Sequence, residues 1–266
     1  MESLLSQYFP ILVFLVIAGV IAVAMIAASY VLARQPIDMV ANAINMGAFP
    51  EVVSRFDEEG PAASGRLLSQ LMALMIRLCL PVAAMLVALS NDITQLLLPS
   101  DYHGRFGLLF PIIAFSVLCA NLTSFVYGAV VHAHKRPWLL IVATSFGSIT
   151  TILLSVLLIP QLAEVGAALA LAGGTLVGLV ACIVISEKLT PIPVPWRDIG
   201  ASVVISLGTG VLAYSTSSLL SHLPAVARLA AGGPAGAAVF LLLVWLFHPE
   251  AVRESLTKVR AKLGIA

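Results

Sequence analysis

Apolar residues run along this chain in long blocks separated by short polar breaks, and the blocks are too long for a strand or for the buried stripe of a soluble helix. Crossing a hydrocarbon core about 30 Å thick takes about 20 helical residues. Seven stretches reach that length: Phe9 to Leu32, Leu71 to Leu89, Gly107 to Val131, Trp138 to Ile159, Val165 to Ile185, Ile199 to Leu220 and Leu229 to Phe247. Each must be a helix, because an open sheet edge cannot face lipid. The pattern therefore predicts an all-α, polytopic integral membrane protein with about seven transmembrane helices. The first stretch is about twice as long as the apolar core of a signal peptide and has no basic residue before it, so it reads as a span and not as a removable leader.

The breaks carry their own predictions. Pro36 to Pro50, apolar apart from Asp38, Asn42 and Asn45, continues the first span as a tilted or kinked helix. Glu51 to Gln70, with Asp57, Glu58, Glu59 and Gly60, reads as a polar cytoplasmic loop lying partly on the membrane surface. Ile93 to Leu98 fits a short interfacial element before a polar turn at Ser100 to Gly104. In the tail from Pro249 to Ala266, Val252, Leu256, Val259 and Leu263 recur at helical spacing among charges, which suits an amphipathic helix on the inner leaflet.

Composition sharpens this picture. The chain has 266 residues, is 60% hydrophobic and only 10% charged, and has a mean hydropathy of +1.06. A soluble domain is about 25% charged, so lipid must be the solvent here. A net charge of +1 and no basic cluster with interleaved aromatics exclude a nucleic-acid partner. The 14 basic residues are unevenly placed. Arg34, Arg55, Arg66, Lys135, Arg136, Lys188, Arg197, Arg253, Lys258, Arg260 and Lys262 fall on one predicted side, against Arg105 and Arg228 on the other. Basic residues stay in the cytoplasm, which predicts a multi-pass inner (cytoplasmic) membrane protein with its amino terminus outside and its carboxyl terminus inside.

No catalytic constellation is visible, and no enzyme, cofactor or metal is expected. Cys79, Cys119 and Cys182 are far apart, inside apolar runs and without metal-ligand spacing. His132 and His134 beside Lys135 and Arg136 read as a solvated basic cap. Gly173-Gly174 and Gly232-Gly233 lack a following Lys-Ser or Lys-Thr and suit close helix packing. The informative residues are polar ones at membrane depth, which are costly and tend to mark pathways. Arg77 either snorkels to the inner interface or turns into a water-filled cavity, where its fork of donors suits phosphate or pyrophosphate. Asp38 either pairs with a cation or ends the first helix, and Asn121 either bonds between helices or touches substrate. Arg77, Asp38 and Asn121 are the candidate substrate-binding residues.

Two resemblances follow from particular motifs. Phe49-Pro50 before the Glu51 to Gly60 stretch, Leu80-Pro81 ahead of Leu86 to Leu98, Asp101-Tyr102, the His134 to Pro137 turn, and Leu157 to Pro160 followed by Val165 to Ala170 occur in that order. From residue 36 to the end, they make the chain resemble the carboxyl-terminal half of the polysaccharide and lipid-linked oligosaccharide flippases of the multidrug/oligosaccharidyl-lipid/polysaccharide exporter superfamily. Residues 1–35, through Tyr8 to Leu15 and Ala28 to Leu32 before Arg34-Gln35, are similar to the first helix of the A subunit of proton-pumping NADH:quinone oxidoreductase. Three segments result: residues 1–35, a transmembrane helix of foreign origin; residues 36–248, a flippase-like bundle; and residues 249–266, a cytoplasmic tail.

The flippase resemblance implies a two-lobed transporter that rocks about a central cavity and moves a lipid-linked sugar phosphate between leaflets. Its partners would be membrane lipids, a lipid-linked glycan, and a partner lobe or a second copy, since alternating access needs two bodies. The alternatives are a membrane subunit of the quinone oxidoreductase and an inert truncated or chimeric product.

Overall fold

The computed structural model describes residues 34–97 and 107–247, and every regular element among them is helical. Residues 34–59 form α1. After it come α2 (Pro61–Ala88), α3 (Ser90–Leu97), α4 (Leu109–Asn121), a π-helical segment (Leu122–Tyr127), α5 (Gly128–Ala133), α6 (Trp138–Leu189), α7 (Trp196–Leu219) and α8 (Ala225–Phe247). Five helices are long and apolar enough to cross a membrane: α2, the continuous Leu109–Ala133 rod, α6, α7 and α8. The predicted spans at Trp138 to Ile159 and Val165 to Ile185 are the two arms of α6, here α6a and α6b. They meet at Ala163, whose φ of 48° and ψ of −121° break the helix after Pro160. The predicted span Phe9 to Leu32, the turn at Ser100 to Gly104 and the amphipathic tail lie outside the described residues.

The stretch read as a polar loop is a correction. Glu51 to Gln70 is helical on both sides of Gly60. Its polar residues are not loop residues but the exposed face of α1, tied by Arg55 to Glu51 at 3.0 Å and Ser54 to Glu58 at 2.7 Å, each one turn apart. The chain reverses at Gly60 alone, with φ 85° and ψ −180°, a conformation essentially open only to glycine, and Pro61 starts α2 at a position where no N–H is needed.

Small residues set the packing. A Cβ on Gly147 of α6a would lie 2.7 Å from the Gly174 carbonyl of α6b, so the two arms touch backbone to backbone. Gly65 of α2 similarly lies against the Pro191 carbonyl, and Ser69 Oγ donates to the Pro193 carbonyl at 2.5 Å, which fixes the entry to α7. The core gathers where α1, α2, α4 and α6b meet, around Ile37, Leu68, Phe110 and Val126. The outer faces stay apolar: Ile149, Val156 and Leu242 are 56%, 69% and 61% exposed, as lipid-facing residues should be.

Candidate functional site

Asp38 and Asn121, predicted separately, are brought together. Asn121 is the central residue of the 25-residue span Leu109–Ala133, and its Nδ2 donates to Asp38 Oδ1 at 3.0 Å. The other carboxylate oxygen accepts from Arg34 Nε at 2.5 Å, one turn earlier on α1. A charge at mid-membrane is costly unless it is paired and hydrogen-bonded, and here both oxygens are engaged. Asp38 thus pairs with a cation, and Asn121 bonds between helices. Eleven residues further along each helix, Phe49 meets His132 edge-on with ring centroids 6.4 Å apart. α1 and the α4–α5 rod therefore run parallel and in step. This places Arg34 at the depth of the span's centre and not in a cytoplasmic loop, as its position after the first predicted span had suggested. The uneven distribution of the other basic residues is unaffected.

The rod changes geometry right after Asn121. Over Leu122–Tyr127 the backbone widens, and Gly128 N–H bonds back five residues to the Thr123 carbonyl. Such a bulge frees carbonyls that must be satisfied elsewhere. Two residues of α6b, one turn apart, back the bulge: the Cys182 thiol approaches the Thr123 carbonyl, which also takes the Gly128 N–H, at 3.9 Å, and Ser186 Oγ donates to the Tyr127 carbonyl at 3.0 Å. A Cβ on Gly128 would sit 2.9 Å from the Thr123 oxygen, so the bulge also needs glycine there.

Beside the bulge lies a groove of about 240 Å³ between the rod and both arms of α6, lined by Thr123, Ser124, Thr144, Ser148, Thr151 and Thr175 among others. Thr123, Thr144, Thr151 and Thr175 each donate to a carbonyl one turn earlier. Their protons are spent within their own helices, so what they offer the groove is lone pairs. Thr175 and Ala120 also line the small pocket holding Arg34 and Asp38, which places the charged set next to the groove across a shared wall. The result is an open groove at membrane depth, mostly apolar in area but studded with hydroxyl acceptors, with a guanidinium and a carboxylate near one end.

Arg77 lies elsewhere. Its Nη2 bonds Asp198 Oδ1 at 3.0 Å in the first turn of α7, and its Nε is buried without a partner. Gly210 packs on Ala84, so a level side chain on α2 at 77 would face position 203 of α7. Arg77 instead reaches back about 7.5 Å, at about 1.5 Å per residue, toward the helix start. That is snorkelling onto a carboxylate.

A more deeply buried ion pair was not foreseen. Asp92, 3% exposed on α3, receives Arg228 Nη2 of α8 at 3.1 Å and the Ser217 hydroxyl of α7, while Arg228 also bonds Gln95. Asp92 stood in a short polar break, where sequence treats charges as solvated. The sole hint was the run Ser90 to Gln95, in which Ile93 is the only apolar residue.

A family model described as lipid II flippase MurJ matches residues 3–232. Among solved structures, the chain is similar to "Lipid II flippase MurJ, inward closed conformation", with a TM-score of 0.65 and 16% identity over 85% of this chain and 48% of that one. The likeness at that identity is one of fold, and the chain spans about half the length of the flippase it matches. No curated protein matches it in sequence. The flippase match begins at residue 3, so it takes in the stretch that resembles the quinone oxidoreductase subunit, and that resemblance has no counterpart among the matches. A lone apolar helix carries little family information, which is why it misled.

Proposed function

The chain belongs to the lipid II flippase MurJ family, and from that premise we propose that it forms one helical lobe of a carrier for a lipid-linked sugar-phosphate precursor. The lobe works against a second lobe, since a cavity that opens alternately to each side needs two bodies. Transport runs from the inner to the outer leaflet, with the amino terminus outside and the carboxyl terminus in the cytoplasm, the orientation that the basic residues favour.

The observation that carries the reading is the Arg34–Asp38–Asn121 set at the centre of a span, next to a groove that carries hydroxyl acceptors. A plain structural bundle gains nothing from a carboxylate there, whereas a carrier needs a polar surface at mid-depth. The groove oxygens suit donors such as sugar hydroxyls. The guanidinium suits a phosphate by charge and planarity. Asp38 holds the Arg34 side chain in place. Arg77, held on Asp198, is assigned to packing at the helix start rather than to substrate.

The test is translocation of a fluorescent lipid-linked oligosaccharide in proteoliposomes containing the intact carrier. Asp38→Asn keeps a hydrogen-bond partner for Asn121 but removes the charge that aims Arg34, and a loss of about 1.4 kcal/mol in transition-state stabilisation would slow transport about tenfold. Transport at the wild-type rate in both Asp38→Asn and Arg34→Gln would remove this set from the mechanism.

A further inference from the structure

On the opposite side of α4 from the hydroxyl groove, a second cavity of about 330 Å³ opens among α2, α4, α6b and α7. Residues 115, 118, 119 and 122 follow one face of the rod and line it, while 120, 123 and 124 follow the other face and line the groove. The two spaces are therefore separate. Apart from Asn121, whose amide is given to Asp38, the walls carry only carbon and sulfur side chains. An apolar cavity of about 150 Å³ stays dry and admits benzene, so a space about twice that size at membrane depth excludes water and calls for hydrocarbon.

Its mouth is lateral. Phe115, Leu176 and Val203, on three different helices, are 46%, 42% and 41% exposed, so the cavity opens sideways toward lipid between α6b and α7. Below the mouth, Trp196, Ile199 and Val203 follow one line on α7, with Trp196 76% exposed and the cation Arg197 exposed beside it. A tryptophan and an arginine at a helix start form an interfacial anchor. Val203 lies about 9 Å further along the helix at about 1.5 Å per residue. The pattern from the interface inward is thus cation, aromatic ring, then apolar cavity.

We infer that this cavity is a lateral lipid site: an acyl chain of an anionic glycerophospholipid enters between α6b and α7, and its phosphate rests on Arg197 beside Trp196. The charge order favours this occupant, because Arg77 is paired with Asp198, and Arg197, exposed beside Trp196, is left to face the headgroup. The site stands apart from the transport reading, and either could fail alone.

The test places the full chain in nanodiscs containing phosphatidylglycerol with a diazirine in mid-chain, followed by illumination and peptide mapping. Adducts should fall on the segments 75–80 and 118–122. Val203→Trp, at an exposed mouth position that tolerates bulk, should remove most of them, and Leu176→Trp should do the same from the opposite wall. Ile149→Trp, on a distant lipid-facing surface, should leave them in place. Arg197→Gln should lower labelling by phosphatidylglycerol about fivefold, the usual weight of one basic residue at an anionic surface, and leave a phosphatidylcholine probe unaffected. Adducts that persist in both mouth variants would overturn the site. So would labelling of the cavity by a polyprenyl phosphate probe but not by the glycerophospholipid.

Discussion

Asp38 shows how one side chain can be legible while its role is not. Its type and depth could be read from the chain, but the partner that defines it, Asn121, is 83 residues away and reaches it at 3.0 Å only through the packing of α1 against the rod. Asp92 was missed for the opposite reason: it lies in a break between apolar blocks, where charge is ordinary, yet folding buries it against Arg228 and Ser217. Removing one member of a buried pair strands the other's charge, which costs about 3–5 kcal/mol, whereas removing both can be nearly neutral. Asp92→Ala and Arg228→Met should therefore each lower the unfolding midpoint in detergent more than the double variant does; equal or additive losses would show an unpaired role. At the bulge, Ser186→Ala should cost about 1 kcal/mol in the same measurement, the worth of one hydrogen bond to the Tyr127 carbonyl.

At the level of elements, length decided what sequence could see. Apolar blocks of 20 residues cannot be hidden, and the predicted spans within the described residues each fall within a helix, shifted by a few residues at the ends. Polarity was the weaker guide. The acidic run Asp57-Glu58-Glu59 ends a helix and does not make a loop, because its charges lie exposed to solvent and Glu58 accepts from Ser54 one turn earlier. What ends α1 is backbone geometry at Gly60, and a side chain there would be strained by about 1–3 kcal/mol. Gly60→Ala should accordingly destabilise the lobe even though a Cβ at that position meets nothing within 4 Å, and an unchanged midpoint would show that the turn can relax. The π-helical segment left no mark in composition; its requirements are Gly128 on one side and a hydroxyl from α6b on the other.

As a whole molecule, the lobe exposes two surfaces within the same membrane. Lipid-facing flanks are Ile, Leu and Val, while the groove beside Asp38 is hydroxyl-lined, and a carrier lobe requires water to reach the second but not the first. Ser148 and Ile149 separate these surfaces most cleanly, because they are neighbours on α6a, both exposed and at the same depth, with Ser148 lining the groove and Ile149 turned outward. The three native cysteines are buried and give a low background. With a charged, water-soluble methanethiosulfonate applied to the protein in liposomes, Ser148→Cys is expected to be modified readily and Ile149→Cys to resist. Modification of neither, or of Ile149→Cys alone, would mean that no water-filled path runs along this lobe.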